Sequence, residues 1–309
     1  MNQVITGYAH PAYALSLAEY GTPFELPRSG GWLLKRSIPG SEYSDAMGCY
    51  PLFACRDWAA LKADIEDLDR DLVSVSLVPD PFGSYTISGL NDCFPDKCVR
   101  FKEHQVLELH REVNPVFKKR TRQSITAALR AFRVERCPNP LEQLDEWMRL
   151  YNETIRKHRV TGIQALSRAS FAAQMQVPGF HLFRAIGDEG NEGMVSWFQQ
   201  GNVAYAHLLG VNGAGYLLGA VYAMLWSSIL YFRDKVNSLD FGGPAGASND
   251  DRDGLAAFKR KWASGTRAAY FCGRIVNHQR YEELISRRRI ATGYFPAYRA
   301  GELIRGTEE

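Results

Sequence analysis

The chain has 309 residues, of which 45% are hydrophobic and 23% charged, and its formal net charge is +3. This length accommodates two domains with real hydrophobic cores, and so weak a basic balance neither requires nor excludes a nucleic-acid partner. The six cysteines have no metal-ligand spacing, so we expect free thiols in a reducing, cytoplasmic environment and no bound metal. The N-terminus lacks a basic stretch followed by an unbroken apolar core, which argues against a signal peptide.

The first 133 residues alternate candidate strands with candidate helices. Residues 31–36, 72–78 and 106–110 have the composition of strands, and Leu61, Ile65 and Leu68 give residues 57–71 a helical spacing. Residues 114–133 combine six basic side chains with one apolar face, which predicts a basic amphipathic helix. Such a charge run usually forms a solvated face, although it is also suited to binding phosphate.

The remaining chain follows a regular order of elements. We expect helices at residues 141–158 and 167–176 (with Ser167 as N-cap), strands at 180–186, 193–200 and 203–210, a buried helix at 216–233, a strand at 236–241, a short helix from Gly254, a strand at 267–276 and a basic helix at 277–289. From the pattern alone this is a mixed α/β or α+β protein.

One segment is apolar enough to be weighed as a membrane span. Residues 202–232 contain no Asp, Glu, Lys or Arg, but glycine, serine, His207 and Asn212 interrupt the apolar run. A span needs about 20 predominantly apolar residues. We therefore expect a buried helix and no integral membrane span.

Two short motifs in the last quarter point to a family. Residues 240–243 read D-F-G-G and residues 254–259 read G-L-A-A-F-K, separated by a polar loop. This arrangement resembles the C-terminal half of the Fem-type peptidoglycan-bridge aminoacyltransferases and related GNAT-superfamily acyltransferases. Residues 261–263 (K-W-A) depart from the small aromatic-Gly ending of the family. The resemblance implies two GNAT-like lobes with mixed, mostly antiparallel sheets flanked by helices, one at residues 1–120 and one at 121–309.

The resemblance also implies roles for residues of the second lobe. Lys259 would offset negative charge on the reacting group or hold the donor, and Phe258 belongs to the same motif. Because Arg260 and Lys261 follow, a solvated basic helix face is the alternative, and the resemblance favours the functional role. Asn212, Gly213 and Gly215 occupy the place of the turn with which GNAT proteins bind the donor pyrophosphate. The family prefers Gln or Arg where this chain has Gly210, so a plain strand-to-helix turn is an equal alternative.

Further candidates lie on the predicted strands of this lobe. Tyr205 and His207 are two residues apart and share a strand face, and histidine suits the removal of a proton from an acceptor amine. The alternative, a core or surface histidine held by a hydrogen bond, is favoured. Trp197 either lines the same cleft or packs in the core. Asp240 either contacts the acceptor or closes a hydrogen-bond network beside the Gly-Gly turn; the second is favoured.

In the first lobe, residues 43–51 resemble a divergent form of the family loop D-A-x-S-P-Y-G-Y. That resemblance implies acceptor binding by Tyr43, Asp45 and Tyr50, with a simple turn between strands as the alternative.

These features together predict an N-acyltransferase that acts on an amine of a cell-envelope precursor, an amino sugar or a small metabolite. No permanently bound cofactor and no DNA partner are expected. Gly213 and Gly215 before a helix favour acyl-CoA as donor; aminoacyl-tRNA is the alternative, and a non-catalytic binding module in polysaccharide or envelope assembly is a third hypothesis.

Overall fold

The structure is a computed structural model that describes residues 4–109, 117–158, 165–188, 190–244, 254–288 and 293–301. Most of the expected polar loop after Gly243, together with Asn114 and Arg289 at the ends of two expected helices, lies outside these residues. The chain forms two compact units, which we call unit 1 (Met1–Gly7 and Glu103–Arg267) and unit 2 (Tyr8–Lys102 and Ala268–Glu309). The units differ from the expected contiguous lobes, because residues 268–309 group with the N-terminal residues.

Unit 2 is built around an antiparallel sheet with one parallel pair. Its strands are hydrogen-bonded in the order β1-β2-β3-β4-β11, in which only β3 and β4 run parallel. The pairing of Cys272–Ile275 in β11 with β4 explains why the last part of the chain groups with the first. The elements are β1 (Thr22–Glu25), β2 (Trp32–Ser37), β3 (Ser44–Gly48), β4 (Leu72–Leu77), β11 (Gly265–Ile275), α1 (Pro11–Leu15), α2 (Leu61–Glu66), α3 (Ile87–Cys93) and α10 (His278–Arg288).

Unit 1 has the same kind of sheet with more helical cover. The strand order is β5-β10-β9-β8-β7-β6, and only β10 and β9 run parallel. The elements are β5 (Lys97–Glu108, which begins in unit 2), β6 (Arg133–Arg136), β7 (Phe180–Gly187), β8 (Gly190–Gln200), β9 (Val203–Val211), β10 (Ser238–Asp240), α4 (Lys119–Ala131), α5 (Leu144–His158), α6 (Arg168–Gln174), α7 (Gly213–Leu218), α8 (Ala220–Phe232) and α9 (Gly254–Lys259).

Strand alternation divides the unit 1 sheet into two faces. Leu107, Ala204 and Leu239 join the core cluster that contains α8 and the apolar side of α4. Because successive side chains of a strand point to opposite faces, the residues between them point away from that cluster. We call this second face the α5 face, because α5 and α6 pack there against β8 and β9.

The prediction of one buried helix at residues 216–233 is wrong for the first part of this range. Gly219 has a left-handed φ of +77° and separates α7 from α8. In α8 residues such as Ala223 and Phe232 are fully buried, whereas Leu217 in α7 is 83% exposed. Glycine adopts this conformation without a Cβ clash, so one apolar run contains two helices with different environments.

Within the described part of the chain, no helix combines the length and apolar character that crossing a membrane requires.

Candidate active site

The candidate site is built on the end of β10, where Asp240 is 1% exposed. Its Oδ1 accepts a hydrogen bond of 2.7 Å from the backbone N–H of Gly242. Gly242 has a φ of +73°, in the left-handed region that favours glycine. Asp240 therefore closes the Gly-Gly turn, which is the interpretation favoured from the sequence. Only one of its two oxygens is used for this purpose.

The second oxygen of Asp240 binds a histidine that the sequence analysis did not single out. Nδ1 of His104, on β5, lies 2.7 Å from Asp240 Oδ2. The side chain of His104 is 10% exposed, and its Nε2 makes no hydrogen bond to any residue that the structure describes. An ionised carboxylate only accepts hydrogen bonds, so it pairs with an Nδ1–H, and in the neutral imidazole with this tautomer Nε2 is the acceptor.

Lys259 is the last residue of α9, and its side chain extends to the same turn. Its Nζ donates a 2.6 Å hydrogen bond to the carbonyl oxygen of Gly243. A Cβ on Gly242 would lie 3.3 Å from this nitrogen, so the ammonium lies close to the turn. Lys259 is half-buried, whereas Arg260 is exposed. The two neighbouring cations thus have different environments.

Phe258 has a packing role. Its ring lies 5.4 Å from that of Tyr222 and 6.3 Å from that of Trp262, at the edge of the unit 1 core. Trp262 is fully buried, which accounts for the large side chain where the family has a smaller ending. The proposed donor contact of Phe258 stays a prediction.

Tyr205 lies beside Asp240 through the parallel pairing of β9 and β10, in which the two residues are directly opposite. Both point to the α5 face, because the intervening partners Ala204 and Leu239 belong to the α8 core. The structure thus brings together His104, Tyr205, Asp240, the Gly242–Gly243 turn and Lys259. We call this set the Asp240 site.

His207 shares the α5 face with Tyr205, as expected, but its ring is used in packing. Nε2 lies 3.1 Å from Oε1 of Gln174, and the ring centroid is 5.0 Å from that of Phe198. Burial lowers the pKa of His207 to about 3. A neutral histidine of this kind is a poor proton acceptor near pH 7, so His104 is the stronger candidate for a base.

Trp197 does not share a cleft with Tyr205 and His207. It pairs with Ala206, next to a register shift between β8 and β9, and its fully buried ring contacts Phe232 and Phe241 in the α8 core. The side chain is on the opposite face of the sheet, so a substrate-binding role has no support from its location.

The predicted donor turn is occupied by its own hydrogen bonds. Asn212 caps α7, because its Oδ1 accepts a 2.7 Å bond from Gly215 N. A Cβ on Gly215 would lie 2.4 Å from the carbonyl oxygen of Glu192, and one on Gly210 would lie 2.9 Å from Tyr151 N. Close packing thus explains both glycines, while Gly213 faces open space.

The three first-lobe residues predicted to bind acceptor lie in unit 2, where each has an internal contact. The Tyr43 hydroxyl donates to Glu283 Oε2 at 3.0 Å, and the Tyr50 carbonyl accepts from the hydroxyl of Tyr13. Asp45 is 1% exposed and forms a two-pronged ion pair with Arg299, at 2.6 and 2.8 Å. Their acceptor-binding role stays a prediction, and for Asp45 the geometry is that of a structural ion pair.

No protein-family model and no curated protein matches the sequence, but solved structures share its fold. FemX covers 89% of this chain and 93% of its own length, with a TM-score of 0.62 at 14% identity. L-PGS from Bacillus licheniformis covers 88% and 94%, with a TM-score of 0.59 at 12% identity. The C-terminal DUF2156 domain of a putative lysylphosphatidylglycerol synthetase from Agrobacterium fabrum covers 90% and 91%, with a TM-score of 0.57 at 14% identity.

At these identities the likeness concerns the fold. The chain shares the fold of FemX, with large, mostly antiparallel sheets and flanking helices, which confirms the expected fold class and the resemblance in fold.

Proposed function

We propose that the protein is an acyltransferase that moves an acyl group from an activated ester or thioester to an amine at the Asp240 site. The observation that carries this proposal is the buried His104–Asp240 pair, which lies on the same Gly-Gly turn as Lys259. A base and a cation beside one turn are the two groups that acyl transfer without covalent catalysis requires.

His104 acts as the base and Asp240 as its positioning residue. An amine at neutral pH is largely an ammonium, which must lose a proton before it can attack. With Nδ1–H held by Asp240, the imidazole presents Nε2 as acceptor. The carboxylate then stabilises the imidazolium that forms, as a carboxylate does in other catalytic pairs with histidine.

The bond changes follow from these roles. The amine nitrogen attacks the carbonyl carbon, an N–C bond forms, and the carbonyl electron pair moves to oxygen. The Lys259 ammonium offsets this negative charge. The carbonyl electron pair then re-forms the C=O bond, and the bond from carbon to the carrier's oxygen or sulfur breaks. The leaving group takes the proton from Nε2 of His104, and the second proton of the attacking nitrogen passes to water.

For the donor, an aminoacyl ester carried by RNA is favoured over acyl-CoA. One solved structure with this fold is named as part of a putative lysylphosphatidylglycerol synthetase, and the product in that name carries a lysyl group, which is an aminoacyl group. In contrast, the turn that would hold a coenzyme A pyrophosphate has its Gly215 amide bonded to Asn212, and Gly210 packs against α5. Acyl-CoA is therefore the second candidate.

The test compares both donors with the purified full chain. Total tRNA charged with radiolabelled amino acids and radiolabelled acetyl-CoA are each supplied with a mixture of amino sugars, diamines and phosphatidylglycerol vesicles. The last acceptor covers transfer to a hydroxyl. We expect label from charged tRNA to enter one acceptor class, and His104→Gln and Lys259→Ala to lower this rate at least about a hundredfold.

Arg260→Ala, an exposed neighbour, is the matched control and should retain the wild-type rate. Transfer from acetyl-CoA alone would show that the donor is acyl-CoA and not an aminoacyl ester carried by RNA. Absence of transfer from either donor, with binding of one acceptor unaffected by the variants, would support the non-catalytic hypothesis instead.

A further inference from the structure

Helix α4 carries an unusually one-sided charge. Between Val113 and Val134 the sequence contains six basic residues and no Asp or Glu. Five of the six are exposed on or just before α4: Lys118, Lys119, Arg120, Arg122 and Arg130. We call these five side chains the α4 basic face. An ordinary solvated helix face mixes both signs of charge, since i,i+4 pairs of opposite charge stabilise it.

Among the residues that the structure describes, the α4 basic face has no acidic partner: none of its five cations forms an ion pair. The guanidinium of Arg122 donates to the carbonyl oxygen of Phe117. Exposed cations elsewhere in unit 1 do find acids: Arg168 pairs with Asp145 and Arg149 with Glu146. The charge of α4 is thus left available for an anionic partner.

The buried side of the helix limits what that partner can be. Ile125, Ala128 and Phe132 are buried in the core with α8, so the helix has no apolar stripe to insert into a bilayer. An interfacial membrane helix needs such a stripe. Apart from Ala127 and Leu129, the latter at 42% exposure, the exposed side chains of α4 are charged or polar. This pattern favours a surface of phosphates over a lipid bilayer.

The cations are also spaced for an extended anion. From Lys119 to Arg130 the helix axis covers about 16 Å, at 1.5 Å per residue. A single small anion cannot contact both ends, whereas a polynucleotide strand presents a phosphate charge every few Å along its axis.

We propose that the α4 basic face binds the phosphate backbone of an RNA. The surface lies in unit 1, which also contains the Asp240 site, and its role as donor docking rests on the proposed function. Binding itself does not, because an uncharged RNA would be held by the same contacts. Phosphate contacts carry no sequence information, so we expect binding that is sequence-tolerant and strongly dependent on salt.

The experiment measures binding of the full chain to fluorescein-labelled, deacylated bulk tRNA by anisotropy at several KCl concentrations. The test variant is K119Q/R120Q/R130Q, whose side chains are exposed. The control is R56Q/K62Q/R168Q, which removes the same charge from side chains that are 52%, 52% and 55% exposed and lie in surface ion pairs. Loss of three phosphate contacts should reduce the slope of log K against log salt by about 2 to 3.

We expect at least about a tenfold weaker tRNA affinity for the α4 variant at 0.1 M KCl, with the control close to wild type. Equal weakening in both variants, or none in either, would overturn the proposal. The proposal would also be overturned if the wild type bound phosphatidylglycerol vesicles but not tRNA, and the α4 variant lost this vesicle binding. His104→Gln should bind tRNA normally, so failure of catalysis and failure of docking are separate results.

Discussion

Nδ1 of His104 lies 2.7 Å from Oδ2 of Asp240, although 136 residues separate the two in the chain. The other carboxylate oxygen closes the turn at Gly242. One buried side chain therefore fixes both a candidate base and the backbone conformation at which Lys259 is held. Its two oxygens have separable roles, and substitutions can distinguish them.

His104→Gln should lower turnover at least about a hundredfold while leaving the fold intact. Glutamine can keep a hydrogen bond to Asp240 but cannot accept the proton of an ammonium. Asp240→Asn should also reduce turnover, because an amide can favour the wrong tautomer of the imidazole. Steady-state kinetics across pH 5–9 provides the measurement.

The decisive feature is the shape of the pH profile. If His104 is the base, the acid-side fall in kcat/KM of the wild type should disappear in His104→Gln. A purely structural His104 would leave that fall unchanged and reduce only thermal stability, and this result would remove His104 from the mechanism.

Lys259→Ala should reduce kcat by about a hundredfold with little change in KM, because the ammonium acts on charge that develops in the transition state. Lys259→Arg should restore only part of the rate, since a planar guanidinium does not replace a compact ammonium at the Gly243 carbonyl. Arg260→Ala is the control. Equal losses in Lys259→Ala and Arg260→Ala, both relieved at low salt, would mean that the two act as a diffuse basic patch.

Much of the fold could be predicted because the relevant patterns are local. Ser167 was expected to cap a helix, and its Oγ accepts the Ser170 N–H at 3.1 Å. Strands β7, β8, β9 and β10 occur within a few residues of their expected ranges, whereas β5 is longer than expected. In contrast, the break at Gly219 depends on a backbone conformation that a glycine permits but does not require.

The site was less accessible to sequence reasoning because strand register creates it. Asp240 meets His104 only through the β5–β10 pairing, and no motif surrounds His104. Register also decides which face a residue occupies. Trp197 pairs with Ala206, and Tyr205 pairs with the next residue, Phe198. Trp197 therefore shares a face with Ala206 and points into the core, which alternation within β8 alone could not show.

The glycines of the predicted donor turn can be tested as a pair. Gly215→Ala should destabilise the protein by about 1–3 kcal/mol, because the new Cβ would meet the backbone oxygen of Glu192 at 2.4 Å. Gly213→Ala should be nearly neutral, since nothing lies within 4 Å of its Cβ position. Chemical denaturation measures both. If the turn holds coenzyme A, Gly213→Ala should instead weaken acetyl-CoA binding without a change in stability.

The Asp45–Arg299 ion pair predicts a structural role for Asp45 in unit 2. Both side chains are at most 5% exposed, and Nε of Arg36 lies 3.5 Å from the carboxylate of Asp45. Asp45→Leu leaves the buried charge of Arg299 without its partner and should cost about 3–5 kcal/mol of unfolding free energy. Arg299→Met should cost less, because Arg36 still faces Asp45, and the double variant should regain part of the loss. Unchanged acceptor use by the double variant would exclude acceptor binding by Asp45; loss of acceptor use at restored stability would support it.

Two histidines of unit 1 make stability depend on pH. Burial lowers the pKa of His207 from 6.5 to about 3 and, together with Arg136, that of His181 to about 4. Between these values and 6.5 the unfolded chain binds protons that the folded chain does not. The contribution of these two histidines to the free energy of unfolding should therefore decrease as pH falls below about 6.5.

For His207 this loss should reach about 1–2 kcal/mol at pH 5 relative to pH 7.5. His207→Gln keeps a donor for Gln174 Oε1 but cannot be protonated, so it should unfold with a smaller pH dependence, whatever its stability at pH 7.5. Urea denaturation of wild type and variant at both pH values measures the difference. His181→Gln should remove a similar share, because its pKa is lowered in the same direction. Equal pH dependence in wild type and His207→Gln would show that His207 is protonated as readily in the folded as in the unfolded chain.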